Sequence, residues 1–188
     1  MYPRGWEGES RLGRKATVVA VFLLLPGLLL FSSPAFATTV KRLDLKEIVA
    51  ASDAIVEGRV ESIRSFWQGR QIFTEVTVGV SRALKGPRPA RLTFLQVGGR
   101  VDAPVPLEMS VPSAPIYRVG DEAYFFLQPA RPGEHVVVGL FQGHVPVRRD
   151  AQGDFVVSGG SRKSPAQFEE EIRKHMAGQK QDGTGAPR

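Results

Sequence analysis

Between Ile72 and Leu84 the side chains alternate in character along the chain. Ile72, Thr74, Val76, Val78, Val80, Arg82 and Leu84 fall on one parity, and Phe73, Glu75, Thr77, Gly79 and Ser81 on the other. Five of the seven on the first parity are aliphatic, the period-two signature of an antiparallel strand with one face on a core. This run commits the middle of the chain to sheet. The segments beside it read the same way. Ala54 to about Trp67 is a strand with a phase change: Val56, Gly58 and Val60 share one parity, Ile63 and Trp67 the other. A β-bulge near Glu61 and Ser62 accounts for the switch, and Gly58 permits sharp coiling beside it. A strand that changes face midway can serve two sheets of a small barrel. Gln68-Gly69-Arg70 turns into the alternating strand, and Lys85-Gly86-Pro87-Arg88-Pro89 turns out of it into residues 91–97.

Residues 98–116 carry Pro104, Pro106, Pro112 and Pro115 and form the least regular stretch, although Val105, Leu107, Met109 and Val111 alternate as a short edge strand would. Ala123-Tyr124-Phe125-Phe126-Leu127 has the unbroken apolarity of a strand buried on both faces, and a second such run extends from His135 to Phe141. His144 to Val147 and Phe155 to Val157 flank a turn at residues 150–154 and read as a final hairpin. Asp44 with Glu47 has the form of a capping box, which starts a helix near Leu45. Ser164-Pro165-Ala166-Gln167 starts another, with Phe168, Ile172 and Met176 as its apolar stripe. Residues 178–188 have no large apolar side chain and read as a disordered tail. The expected fold is mainly β: an OB-like closed or partly open antiparallel barrel, with a short N-terminal helix and a C-terminal amphipathic helix, in one domain over residues 38–177.

The first 37 residues are set apart from that domain. Arg11, Arg14 and Lys15 precede an apolar run from Ala16 to Phe31, and Pro34-Ala35-Phe36-Ala37 supplies a small-residue cleavage site. This is the pattern of a secretory signal peptide, with cleavage after Ala37 and a mature chain beginning at Thr38. The competing reading is an uncleaved segment that anchors the protein in a membrane. The expected location is exported, in the periplasm or the medium, after cleavage near Ala37. The chain contains no cysteine, which excludes disulfides, thiol catalysis, cysteine-ligated metals and a lipoprotein anchor.

Chemistry-bearing residues are sparse. His135, His144 and His175 have no metal-ligand spacing, no nucleophile elbow is present, and the Gly98-Gly99 and Gly159-Gly160 pairs do not lead into a phosphate-binding helix. Glu57, Glu61, Glu75 and Glu122 fall on outward parities or strand ends and read as solvated. The sequence therefore assigns no catalytic residue, metal or cofactor, and the expectation is a protein that is not an enzyme. Net charge is +6, and Arg82, Lys85, Arg88, Arg91 and Arg100 form a local basic run. It suits either an anionic partner or a hairpin tip kept soluble by charge. Phe66 and Trp67 beside the turn at Arg70, together with Phe73, are the candidate binding residues, because aromatic and arginine side chains at a hairpin tip make good interface anchors.

Three segments resemble the netrin-like modules, above all the inhibitory domain of the tissue inhibitors of metalloproteinases. SDAIVEGRV resembles the entry strand of that OB-type barrel, FTEVTVGVSRALKG its second strand, and VGDEAYFFL with HVVVGLFQG the later strands and hairpin. The chain is also similar to an uncharacterised group of exported bacterial proteins, which carries no function over. The resemblance implies an OB-type fold and a protein partner, with an extracellular protease as the partner class it points to. Those inhibitors chelate the protease zinc through the amine and carbonyl of an N-terminal cysteine held by disulfides. Here only the free amine of Thr38 is left for that role. Three functions stay open at this point: a non-enzymatic module binding a protein, an oligonucleotide- or glycan-binding OB-type domain, and a hydrolase whose site has no recognised motif. Export speaks against nucleic acid as the ligand.

Overall fold

The computed structural model describes residues 41–182; the segment expected to be a signal peptide, and Thr38, lie outside the described residues. The described chain is mainly β with two helices. Helix α1 (Leu45–Ala51) opens on Asp44, whose side chain accepts from the Glu47 amide while the Glu47 carboxylate accepts from the Asp44 amide. Strands β1 (Ala54–Gln68), β2 (Gln71–Lys85) and β3 (Arg91–Val97) follow as an antiparallel meander. The proline-rich stretch contains a small ribbon of β4 (Gly99–Val101) and β5 (Leu107–Met109). The chain then forms the hairpin β6 (Glu122–Arg131) and β7 (Glu134–Val137), followed by β8 (His144–Pro146). A small sheet of β9 (Arg148–Asp150), β10 (Gly153–Ser158) and β11 (Ser161–Lys163) leads into helix α2 (Pro165–Asp182). Among the described residues no helix is long and apolar enough to cross a membrane.

The main sheet runs β1-β2-β3-β7-β6-β8, and β6 also pairs with β1, so the pairings return to their starting strand. The closure is uneven. β1 and β6 share a ladder from Ala54 opposite Leu127 to Arg59 opposite Glu122, whereas parallel β3 and β7 meet only at Leu95 and Val136. Bulges produce the curvature. Glu61 is the extra residue between the Val60–Val78 and Ser62–Thr77 pairs, which is the phase change read in the sequence. Further register shifts leave Ser81 and Leu84 without a partner on β1. These shifts end the inward face of β2 earlier than the alternation predicts. Val80 and Ala83 pack on the inner core, while Leu84 packs on the outer one and Arg82 turns toward α2.

Two cores result. Val56, Val60, Val76, Val78, Leu92, Phe94, Phe125 and Leu127 are among those that fill the inside of the ring. On the outside of β1 and β6, Ile48 and Val49 of α1 meet Phe168 and Ile172 of α2 over Ile55, Tyr124 and Phe126. Each fully buried side chain of this size contributes roughly 1.5–3 kcal/mol, so α2 is held chiefly by Phe168 and Ile172.

Three expectations need correction. The run from His135 to Phe141 is strand only as far as Val137; Gly139, at φ 62, turns the chain there. His144 to Pro146 joins the edge of β6; the hairpin around residues 150–154 is instead β9 with β10, Phe155 lying opposite Arg148, and a further hairpin of β10 with β11 follows it. Helix α2 does not stop before Gly178 but continues to Asp182, so the first part of the expected disordered tail is helical. Its start is as read: Ser164 and Gln167 cap each other, through bonds of 2.9 and 3.3 Å.

Candidate functional site

The β1–β2 turn is tight because Gln68 pairs with Gln71, leaving two residues at the tip, and Gly69 adopts φ 62 as such turns require. The sheet pleat then divides the candidate residues. Phe66 lies directly opposite Phe73, and Trp67 opposite Ile72, so Trp67 is on the other face from the two phenylalanines. The single aromatic cluster expected at the tip is therefore two separate surfaces. Its arginine also differs from the expectation. Arg64 stands 5.3 Å from the Phe66 ring centroid and pairs with Glu75 at 3.1 Å, whereas Arg70 sits exposed at the turn.

Trp67 forms the first surface with residues of the proline-rich loop. The indole is 40% exposed and lines an apolar depression with Pro104, Val105 and Leu107, the last two 68% and 48% exposed. Sequence reading identified Trp67 but not these neighbours, since the loop lies far from it along the chain. Phe73 belongs to the second surface, a groove of about 450 Å³ that follows the weak β3–β7 seam. Leu95, Val97, Val136 and Leu140 line it, with Arg131 and Glu134 also contributing. Leu140 has φ 67, a conformation costly for a residue with a Cβ and often found where a site is held in shape.

The basic run is largely spoken for. Arg91 pairs with Glu61 at 2.6 Å, Arg100 with Asp102 at 3.3 Å, and Arg82 with Glu169 at 2.5 Å. Lys85 donates to the Val49 carbonyl at the end of α1, and Arg88 to the Ser81 carbonyl. These contacts favour the solubility reading over an anion-binding patch.

One polar constellation went unread in the sequence. Tyr124, Glu57 and Arg82 are successive cross-strand neighbours on the outer face of β6, β1 and β2. Glu169 of α2 comes down on this row, 3% exposed, accepting from Arg82, from the Tyr124 hydroxyl at 3.1 Å and from Arg173 at 2.9 Å. Glu57 lies 3.7 Å from Arg82. It is not solvated as expected: burial pushes its carboxyl up, Arg82 offsets part of this, and nearby Glu169 adds to it. The sequence signal was Arg82 itself, the one charge on a parity that is otherwise aliphatic except for Thr74. Among the described residues, this row ties a helix to a sheet, and none of its four members lines the cavities described above or below. His135, His144 and His175 fall on three different elements, β7, β8 and α2.

No protein-family model matches this chain, and no curated protein is significantly similar to it.

Proposed function

We propose that the protein is an exported binding module of the OB type that engages a protein partner through the Trp67 surface. The observation that carries this reading is the clustering of Trp67, Pro104, Val105 and Leu107 into one exposed apolar depression. Contiguous exposed apolar surface is costly to maintain in water and marks interaction sites, and tryptophan is the side chain most enriched among interface hot spots. The OB assignment is supported by the cyclic order β1-β2-β3-β7-β6 with one thinly paired seam, as in a five-stranded, partly open barrel. Export is supported by the leader pattern ending at Ala37. The likeness to netrin-like inhibitors makes an extracellular metalloprotease the first partner class to try, with the amine of Thr38 as the group to block.

The test is site-specific photocrosslinking in the native secretome. A benzophenone side chain at position 67 should capture a protein that the same probe at Gln152, on the far β9–β10 turn, does not. Leu107→Asp should abolish the adduct without unfolding the domain. Equal background capture at both positions refutes the reading. Capture that persists in Leu107→Asp moves the interface away from this surface.

A further inference from the structure

The groove along the β3–β7 seam carries its charge at one end. On β6, Ala123, Phe125 and Leu127 point into the inner core, so simple alternation would carry Arg131 to that same inward side. A bulge prevents this. Pro129 lies opposite His135 and Arg131 opposite Glu134, which leaves Ala130 as the extra residue. On β7, Val137 belongs to the inner core, so Glu134 and Val136 look outward. Arg131 is thereby turned out beside Glu134, onto the face that holds the groove. Re-aiming a side chain next to a site is a recurrent use of such bulges.

Arg131 and Glu134 are the only charged residues in the groove lining. Neither forms an ion pair with the other or with any other described residue. The long wall is apolar, built from Phe73 of β2, Leu95 and Val97 of β3 and Val136 of β7, with Leu140 closing it beyond the end of β7. Val97 and Leu140 are both exposed. Leu140 also keeps its side chain there at φ 67, a backbone cost that glycine would avoid. An apolar trough ending in one unpaired cation and one unpaired anion is complementary to a ligand of the same make-up.

We propose that this groove binds a free α-amino acid with an apolar side chain of leucine or phenylalanine size. The carboxylate meets Arg131, the ammonium meets Glu134, and the side chain lies along Phe73, Leu95 and Val136. The volume of about 450 Å³ falls toward the small end of the range for ligand pockets, which suits one amino acid better than a lipid. Arg131 is exposed and Glu134 half-buried, so the ligand's charges stay near water while its side chain leaves it. An apolar carboxylate alone would approach Glu134 as a like charge, and an apolar amine alone would approach Arg131 in the same way. None of the four residues of the Trp67 surface lines this groove, so the two proposals stand or fall separately.

The experiment is an amide-shift NMR titration of the protein with L-leucine and L-phenylalanine, each beside its deaminated and decarboxylated analogues. These are 4-methylpentanoate and isopentylamine for leucine, and 3-phenylpropanoate and phenethylamine for phenylalanine. At least one amino acid should give saturable shifts centred on the groove residues, with both of its analogues much weaker. Arg131→Gln and Glu134→Gln should each weaken that binding about tenfold, the share of one hydrogen bond to a charged group, with the unfolding temperature unchanged. Absence of saturable shifts with both amino acids overturns the proposal. An analogue that binds as tightly as its parent amino acid, or affinity unchanged in either variant, overturns it too.

Discussion

Glu169→Ala is the sharpest test of how α2 is attached. The carboxylate is 3% exposed and accepts from two guanidiniums and a phenol, so truncation removes three hydrogen bonds at once. Hydrogen bonds to charged groups contribute about 1.5–3 kcal/mol each, but the full sum does not apply. The Arg82 and Arg173 side chains are 55% and 51% exposed, so both can rehydrate and their share is screened. Tyr124 is fully buried and loses its partner, at about 1–3 kcal/mol for an orphaned hydroxyl. The net expectation is a loss of about 2–4 kcal/mol, near the range for removing one member of a buried ion pair. Urea unfolding followed by far-ultraviolet circular dichroism reads this directly, and an unchanged m-value identifies it as a stability effect. Tyr124→Phe, which keeps both guanidinium contacts, should cost about 1 kcal/mol. A double-mutant cycle with Arg82→Ala should be strongly non-additive. A loss below about 1 kcal/mol in Glu169→Ala, or simple additivity with Arg82→Ala, would refute the geometry described for this row.

The other predictions concern the same sheet. Native Glu57 holds its proton to higher pH than the ordinary value of 4.5, so above that value the unfolded chain binds fewer protons than the fold and stability falls as pH rises. Glu57→Gln should therefore stabilise relative to wild type most near about pH 7, with the gap closing as pH drops below the ordinary carboxylate range; a gap that widens on acidification contradicts this. Val78→Asp, at a fully buried position, should cost roughly 3–5 kcal/mol and Thr77→Asp about 0.5 kcal/mol; equal damage in thermal unfolding would mean both faces of β2 are covered. Gly99→Ala should destabilise by roughly 1–3 kcal/mol, because φ is 131 and a Cβ there would stand 2.1 Å from Thr74 Oγ1; a neutral result by calorimetry excludes that close packing.

Local periodicity carried the fold reading where one period held. The alternation through Val80, the bulge at Glu61 and both helix caps are properties of neighbouring residues, and each is present in the structure. What sequence could not carry is where the period breaks without a visible cue. Apart from the charge of Arg82, nothing in Ser81-Arg82-Ala83-Leu84 announces two register shifts, yet these turn Arg82 to the helix side. The candidate surface was legible in Trp67 alone. Val105 and Leu107 looked like an edge strand, and only the folded loop brings them beside the indole. Arg131 and Glu134 read as ordinary turn residues, because the bulge that sets them side by side on the groove face has no cue in the sequence.

The position of β6 bears on how this protein must fold. Ala123, Phe125 and Leu127 point into the inner core, while Tyr124 and Phe126 point into the outer one. A strand shared in this way couples the two halves into one cooperative unit, so neither can melt while the other persists. Phe168 and Ile172 of α2 complete the outer half, so the native packing of that half requires α2 to be docked. The slowest-exchanging amides should accordingly lie in β6, and they should exchange only through global unfolding.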